Sequence, residues 1–182
     1  MAFFVDVSVR SLNKHNEELC GDKVEVIRTR ESVIIILSDG LGSGVKANIL
    51  ATLTSKIIGT MLKEGASIDE AVDTITQTLP ICSVRQVAYS TFTILQIFND
   101  GHAYIVEFDN PSIAFFRARE AVCLPWKERI VHGKRIRESE LQISKEDIFV
   151  MFSDGVVHAG VGKILNMGWQ YDNVLEDIQK NV

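Results

Sequence analysis

The sequence has no long apolar run, no paired cysteine motif and no basic cluster, and each absence removes a class of protein. No apolar run is longer than Val33–Leu37, far short of the ~20 residues that a membrane-spanning helix needs. The opening MAFFVDVSVR lacks the pattern of a secretory leader, so the expected location is the cytoplasm. Cys20, Cys82 and Cys123 form no CxxC pair and are odd in number, which argues against a zinc site and a full disulfide framework; they read as buried free thiols. The net charge of −5 excludes a general attraction to nucleic acid or an anionic membrane. No fixed-period repeat, low-complexity tract or linker is present. What remains is an ordinary globular composition, 46% apolar and 24% charged over 182 residues, enough for one well-filled core and too little for two. Residues 1–182 therefore read as a single domain.

Along the chain, Phe3–Arg10 alternates, and Lys23–Leu37 starts with the alternating KVEVIRT before turning wholly apolar. This predicts a half-exposed strand paired with one that runs into the core, joined by the loop SLNKHNEELCGD. From Ser43 the apolar spacing becomes helical and continues to Gly65, with the apolar stripe assigned to core packing. Ser67 and Glu70 form a capping box for a second helix through about Leu79, ended by Pro80. STFTILQIF, the turn Asn99-Asp100-Gly101, HAYIVEF and SIAFFRA predict a meander of strands. Val122–Glu140 predicts one or two strands with loops, Ile148–Ser153 another strand, and the chain from about Gly162 a helix. Strands, two helices, more strands and a final helix make a mixed antiparallel α+β architecture rather than a βαβ series.

One pattern occurs twice: IIILSDGLGSG ends one apolar run and IFVMFSDGVVHAG ends another. If the two strands lie side by side, Asp39 and Asp154 meet at one sheet edge, where two carboxylates repel unless a cation sits between them. Oxygen ligands at rigid strand ends suit Mg²⁺ or Mn²⁺. Gly40 and Gly155 then leave room for a backbone carbonyl to turn toward an ion. Asp22, directly after Gly21, opens the strand that precedes Asp39.

The order Gly-Asp, then strand-DGxGxG-helix, then strand-SDGV resembles the metal-dependent protein phosphatases of the PPM type, in particular the SpoIIE-like group. The resemblance runs from about Val5 to Gly168. It implies two antiparallel β-sheets packed as a sandwich and flanked by helices, with two divalent ions, Mn²⁺ or Mg²⁺, at one end. It also implies that Asp39 bridges both ions, that the Gly40 carbonyl binds one, and that Asp22 and Asp154 each ligate an ion directly or through water. The implied reaction is hydrolysis of phosphoserine or phosphothreonine. The implied substrates are phosphorylated STAS-domain proteins of the stressosome or anti-sigma-antagonist class. The family pattern closes with Asp-Asp or Asp-Asn before a final strand, whereas Asp172-Asn173 here has helical neighbours. Either that strand is missing or the metal site is thinner, with one ion held weakly.

Two rival readings stand beside this one. GLGSG between strand and helix approximates a nucleotide phosphate loop, but the spacing is GxGxG, no GK[ST] follows, and Asp39 would face a phosphate with like charge. A binding module that keeps the fold without catalysis is the other. His15, His102, His132 and His158 show no ligand spacing, and His158 alone is placed to be tested as a proton donor. Arg10 ends the first predicted strand and is a candidate phosphate ligand. Asn110-Pro111-Ser112 reads as a turn and Lys46 as solvated.

Overall fold

In the computed structural model, which describes residues 3–78, 90–162 and 164–181, the apolar runs become two antiparallel sheets between helices. Strands β1 (Asp22–Arg28) and β2 (Ser32–Gly40) form a hairpin, so Lys23–Leu37 is two strands rather than one. Thr29 makes the reversal: its N–H donates to the Ser32 carbonyl at 2.9 Å, and its hydroxyl accepts from the Ser32 N–H at 2.9 Å. Next come helices α1 (Gly44–Lys63) and α2 (Ile68–Thr78), strands β3 (Ser90–Phe98), β4 (His102–Phe108), β5 (Ala114–Arg117), β6 (Glu120–Ala121), β7 (Lys127–Val131), β8 (Lys134–Gln142) and β9 (Ile148–Val150), and helices α3 (Asp154–Val157) and α4 (Tyr171–Asn181). One sheet has the order β1-β2-β3-β4-β8-β7 and the other β6-β5-β9. This is the expected sandwich of two antiparallel sheets flanked by helices.

β2 is uninterrupted in its apolar residues because both of its faces are covered. Ile34 and Ile36 face α1 and α2, with Ile58, Ile75, Phe92 and Ile94. Ile35 faces the second sheet, with Leu95, Ile105 and Phe115. Beyond that sheet, Phe116 and Phe152 pack against Val174 of α4. A buried ion pair ties β4 to β8: Glu107 on β4, only 1% exposed, accepts from Arg137 on β8 and from the Ile113 N–H. The capping box at Ser67 and Glu70 forms as predicted, while the Leu79-Pro80 end of that helix and Cys82 lie outside the described residues.

Four expectations are corrected. Phe3–Arg10 joins no strand ladder among the described residues; its alternation is real, since Phe3, Val5 and Val7 pack on the core between the sheets, but alternation specifies a face and not a partner. Helix does not begin near Gly162, because positive φ at Gly160, Gly162, Gly168 and Gln170 keeps the chain in turns until Tyr171. Of the thiols, Cys20 is half-buried and Cys123 exposed. The apolar stripe of α1 is divided: Ala47, Ala51, Ile58 and Leu62 are buried, whereas Val45, Ile49 and Leu53 are 57%, 52% and 52% exposed.

The reason for that division is the seat of α1 on β2. A Cβ at Gly40 would lie 2.0 Å from the Ala47 carbonyl oxygen, so only small residues fit between helix and strand. The space at Gly40 is thus filled by helix backbone. At Gly155 the nearest neighbour of such a Cβ is the Ser153 hydroxyl at 3.7 Å. Gly40→Ala is expected to cost more than the ~1–3 kcal/mol typical of an added core methylene, because the obstruction is backbone. Gly155→Ala should leave denaturant unfolding nearly unchanged.

Candidate metal centre

Asp22 and Asp39 are register partners across the β1–β2 hairpin, at the end of the six-stranded sheet nearest the start of α1. Three contacts set Asp22. The Gly40 N–H donates to the Gly21 carbonyl at 3.1 Å, the Asp22 N–H donates to Cys20 Sγ at 3.4 Å, and Asn48 on α1 donates to the Cys20 carbonyl at 2.8 Å. Asp39 lies in the interior strand β2, and the Ser90 hydroxyl of β3 donates to its backbone carbonyl at 3.0 Å. Asp154 is the first residue of α3, held in place because Phe152 is buried against Tyr171, with ring centroids 5.7 Å apart, and against Val174.

The strands ending in SDG do not lie side by side. β2 belongs to the larger sheet and β9 to the smaller, so Asp154 reaches Asp39 across the sandwich. The Ser153 hydroxyl, next to Asp154, donates to Asp22 Oδ2 at 2.6 Å and so ties this segment to β1. The Asp39 carboxyl is pushed up to about 8, first by burial, then by the charges of Asp22 and Asp154, and by hydrogen bonds to both. Those hydrogen bonds draw the carboxyls onto one another instead of around a common point, and among the described residues no three acidic, His or Cys side chains surround a single cation position. The donors themselves fit a hard divalent ion: they are carboxylate oxygens on rigid elements whose like charges need a counter-charge.

The other sequence candidates lie elsewhere. Arg10 is exposed and, among the described residues, its guanidinium bonds only its neighbour's carbonyl, Val9, at 3.3 Å. His132 ties the β7–β8 turn to Asp73 and Gln77 of α2, and His102 packs on Phe98. His15 and His158 are exposed, as is Lys46. Asp172 is exposed in the first turn of α4.

Two side chains at this end were not singled out in the sequence. Ser153 was one letter of a repeated pattern. Glu17 sat in a polar loop with no signal at all, yet its carboxylate occupies the start of α1: it accepts from the Ser43 hydroxyl at 2.7 Å and fills the space where a Cβ of Gly44 would stand. A helix N-terminus attracts anions, and here the protein's own carboxylate takes that place. The GLGSG loop therefore does not present an open phosphate cradle.

Residues 29–180 match the family described as stage II sporulation protein E. The chain belongs to the SpoIIE family. Solved structures agree in fold. The SpoIIE PP2C phosphatase domain with a fragment of its regulatory domain, from Bacillus subtilis, is 18% identical with a TM-score of 0.71, covering 93% of this chain and 55% of that one. A Mycobacterium tuberculosis protein with RsbU and RsbW domains is 14% identical with a TM-score of 0.70, covering 93% and 48%. RsbX in complex with magnesium is 19% identical with a TM-score of 0.62, covering 93% and 83%. The chain thus spans about half the length of the first two. No curated protein sequence matches. For this SpoIIE family member, the fold is that of PP2C phosphatases.

The Asp39 shift has a sign that can be checked. In chelator-treated protein the folded state keeps a proton on Asp39 that the unfolded chain releases near 3.8. Its contribution to stability is complete below that value and is lost as pH rises through about 8. Denaturant unfolding should show stability falling across this window, and Asp39→Asn should flatten that slope.

Proposed function

We propose that the protein is a divalent-metal-dependent phosphatase acting on phosphoserine or phosphothreonine of a signalling protein. The observation that carries this reading is the approach of Asp22, Asp39 and Asp154 to one another at one end of the sandwich, with Asp39 pushed up to about 8. Family membership supports the same chemistry. Asp39, flanked by both other acids, would be the ligand shared between ions, and Asp22 and Asp154 would each hold mainly one. The Gly40 carbonyl, at the end of β2, is the remaining protein ligand carried over from the family pattern. Divalent ions held there would supply positive charge to acidify water and offset charge developing on the phosphoryl oxygens.

This chain's own part is to place the acids. Asp22 and Asp39 are half-buried and Asp154 exposed, and the hairpin and the start of α3 hold them on rigid backbone. No protein nucleophile is assigned: Cys20 accepts a backbone hydrogen bond and lies in a half-buried turn. For the substrate we favour a phosphorylated STAS-domain protein of the stressosome or anti-sigma-antagonist class, and a cytoplasmic setting. The support is the likeness in fold to RsbX and to an RsbU domain. The nucleotide-binding alternative is weakened by Glu17 at the start of α1.

With Mn²⁺ present, Asp39→Asn should slow hydrolysis of p-nitrophenyl phosphate by at least ~10²-fold, the scale of losing a main electrostatic contributor, and by more than Asp22→Asn or Asp154→Asn. An unchanged rate in Asp39→Asn would sink the enzyme reading.

Three carboxylates do not balance two divalent ions, and Asp172 is exposed on α4. One Mn²⁺ should therefore bind tightly and a second weakly, with activity still rising after the first site is full. Mn²⁺ should outperform Mg²⁺, since affinity rises along the transition series. Calorimetry that finds two tight, equivalent sites would contradict this.

A further inference from the structure

Resting on the metal-dependent reading, we propose that Ser153 is a positioning residue for the acid cluster, setting the Asp22 carboxylate through its hydroxyl so that divalent-ion binding depends on it. Ser153 is 6% exposed, and its Oγ lies 2.6 Å from Asp22 Oδ2, 131 residues away in sequence. The contact joins the end of one sheet to the segment that carries Asp154. A serine hydroxyl has a single hydrogen to donate. Aimed at one oxygen of Asp22, it fixes the plane of that carboxylate and offsets part of its charge beside Asp39.

The backbone geometry separates this from simple helix capping. Ser153 occupies the N-cap position of α3 with extended backbone, φ −81° and ψ 170°, yet its side chain makes no cap hydrogen bond. An N-cap serine ordinarily satisfies an amide of the first turn; here the hydroxyl is committed to Asp22. Its counterpart in the other SDG repeat behaves differently. Ser38 is fully buried, on the face of β2 opposite Asp39, and its Oγ has no partner among the described residues. The serine of the second repeat is thus the one tied to the acids. Groups that hydrogen-bond to metal ligands typically contribute 10–100-fold in metal affinity.

The test is calorimetric titration of Mn²⁺ into the purified chain and its variants. Ser153→Ala should weaken the tight Mn²⁺ site about 10–100-fold, and Ser153→Thr, which keeps the hydroxyl, should recover most of the loss. In an Asp22→Asn background Ser153→Ala should have little further effect, because its action runs through Asp22. Equal Mn²⁺ affinity for Ser153→Ala and wild type overturns the proposal. So does the same fold-loss with Asp22 present or replaced, or a failure of Ser153→Thr to recover affinity while it unfolds at the wild-type temperature. A wild-type chain that takes up no Mn²⁺ at millimolar concentration overturns the metal-dependent reading itself, and the role of Ser153 with it.

Discussion

Carboxylates held within mutual reach repel one another unless a proton or a cation lies between them, and the end of this sandwich imposes that condition on Asp22, Asp39 and Asp154. Two of the three cannot separate without breaking the β1–β2 ladder, in which they are partners. The third is fixed by burial of Phe152, two residues before it, against α4. The fold therefore holds a local electrostatic cost in place, and the rest of the structure offsets it through the apolar layers above and below β2. Such a site gains from whatever ligand relieves the repulsion, which is the physical basis for proposing that it takes divalent ions.

The close approach of α1 to β2 serves the same end. Gly40 and Ala47 let helix backbone lie directly on strand backbone, and Asn48, one residue on, reaches the loop that leads into Asp22. The glycine-rich turn between strand and helix is then a packing junction closed by Glu17 and Ser43. Both serines that begin helices at this end, Ser43 and Ser153, give their hydroxyls to carboxylates from other segments and make no side-chain cap of their own. Short-range helix stabilisation is exchanged for contacts that join distant parts of the chain.

Much was legible in the sequence wherever the signal was local. The alternation and apolar runs of β1 to β4, the period of α1, and the reciprocal pairing of Ser67 with Glu70 depend on residues within a few positions of one another. The three acids were visible because each follows or precedes glycine at the mouth of an apolar strand. Glu17 was not, since a polar loop residue carries no pattern, and its place is set by a helix that begins 27 positions later.

By itself, then, the sequence determined the main strands and helices, the faces they bury, and the identity of the acidic residues. Periodicity and turn chemistry are properties of short stretches, and they survive without knowledge of the fold. Only the tertiary structure decided that Phe3–Arg10 lies on the core without a ladder among the described residues, that the two SDG segments follow strands of different sheets, and that Ser153 meets Asp22. Those choices depend on which segments, often more than a hundred residues apart, exclude water from one another, and no local pattern encodes the partner.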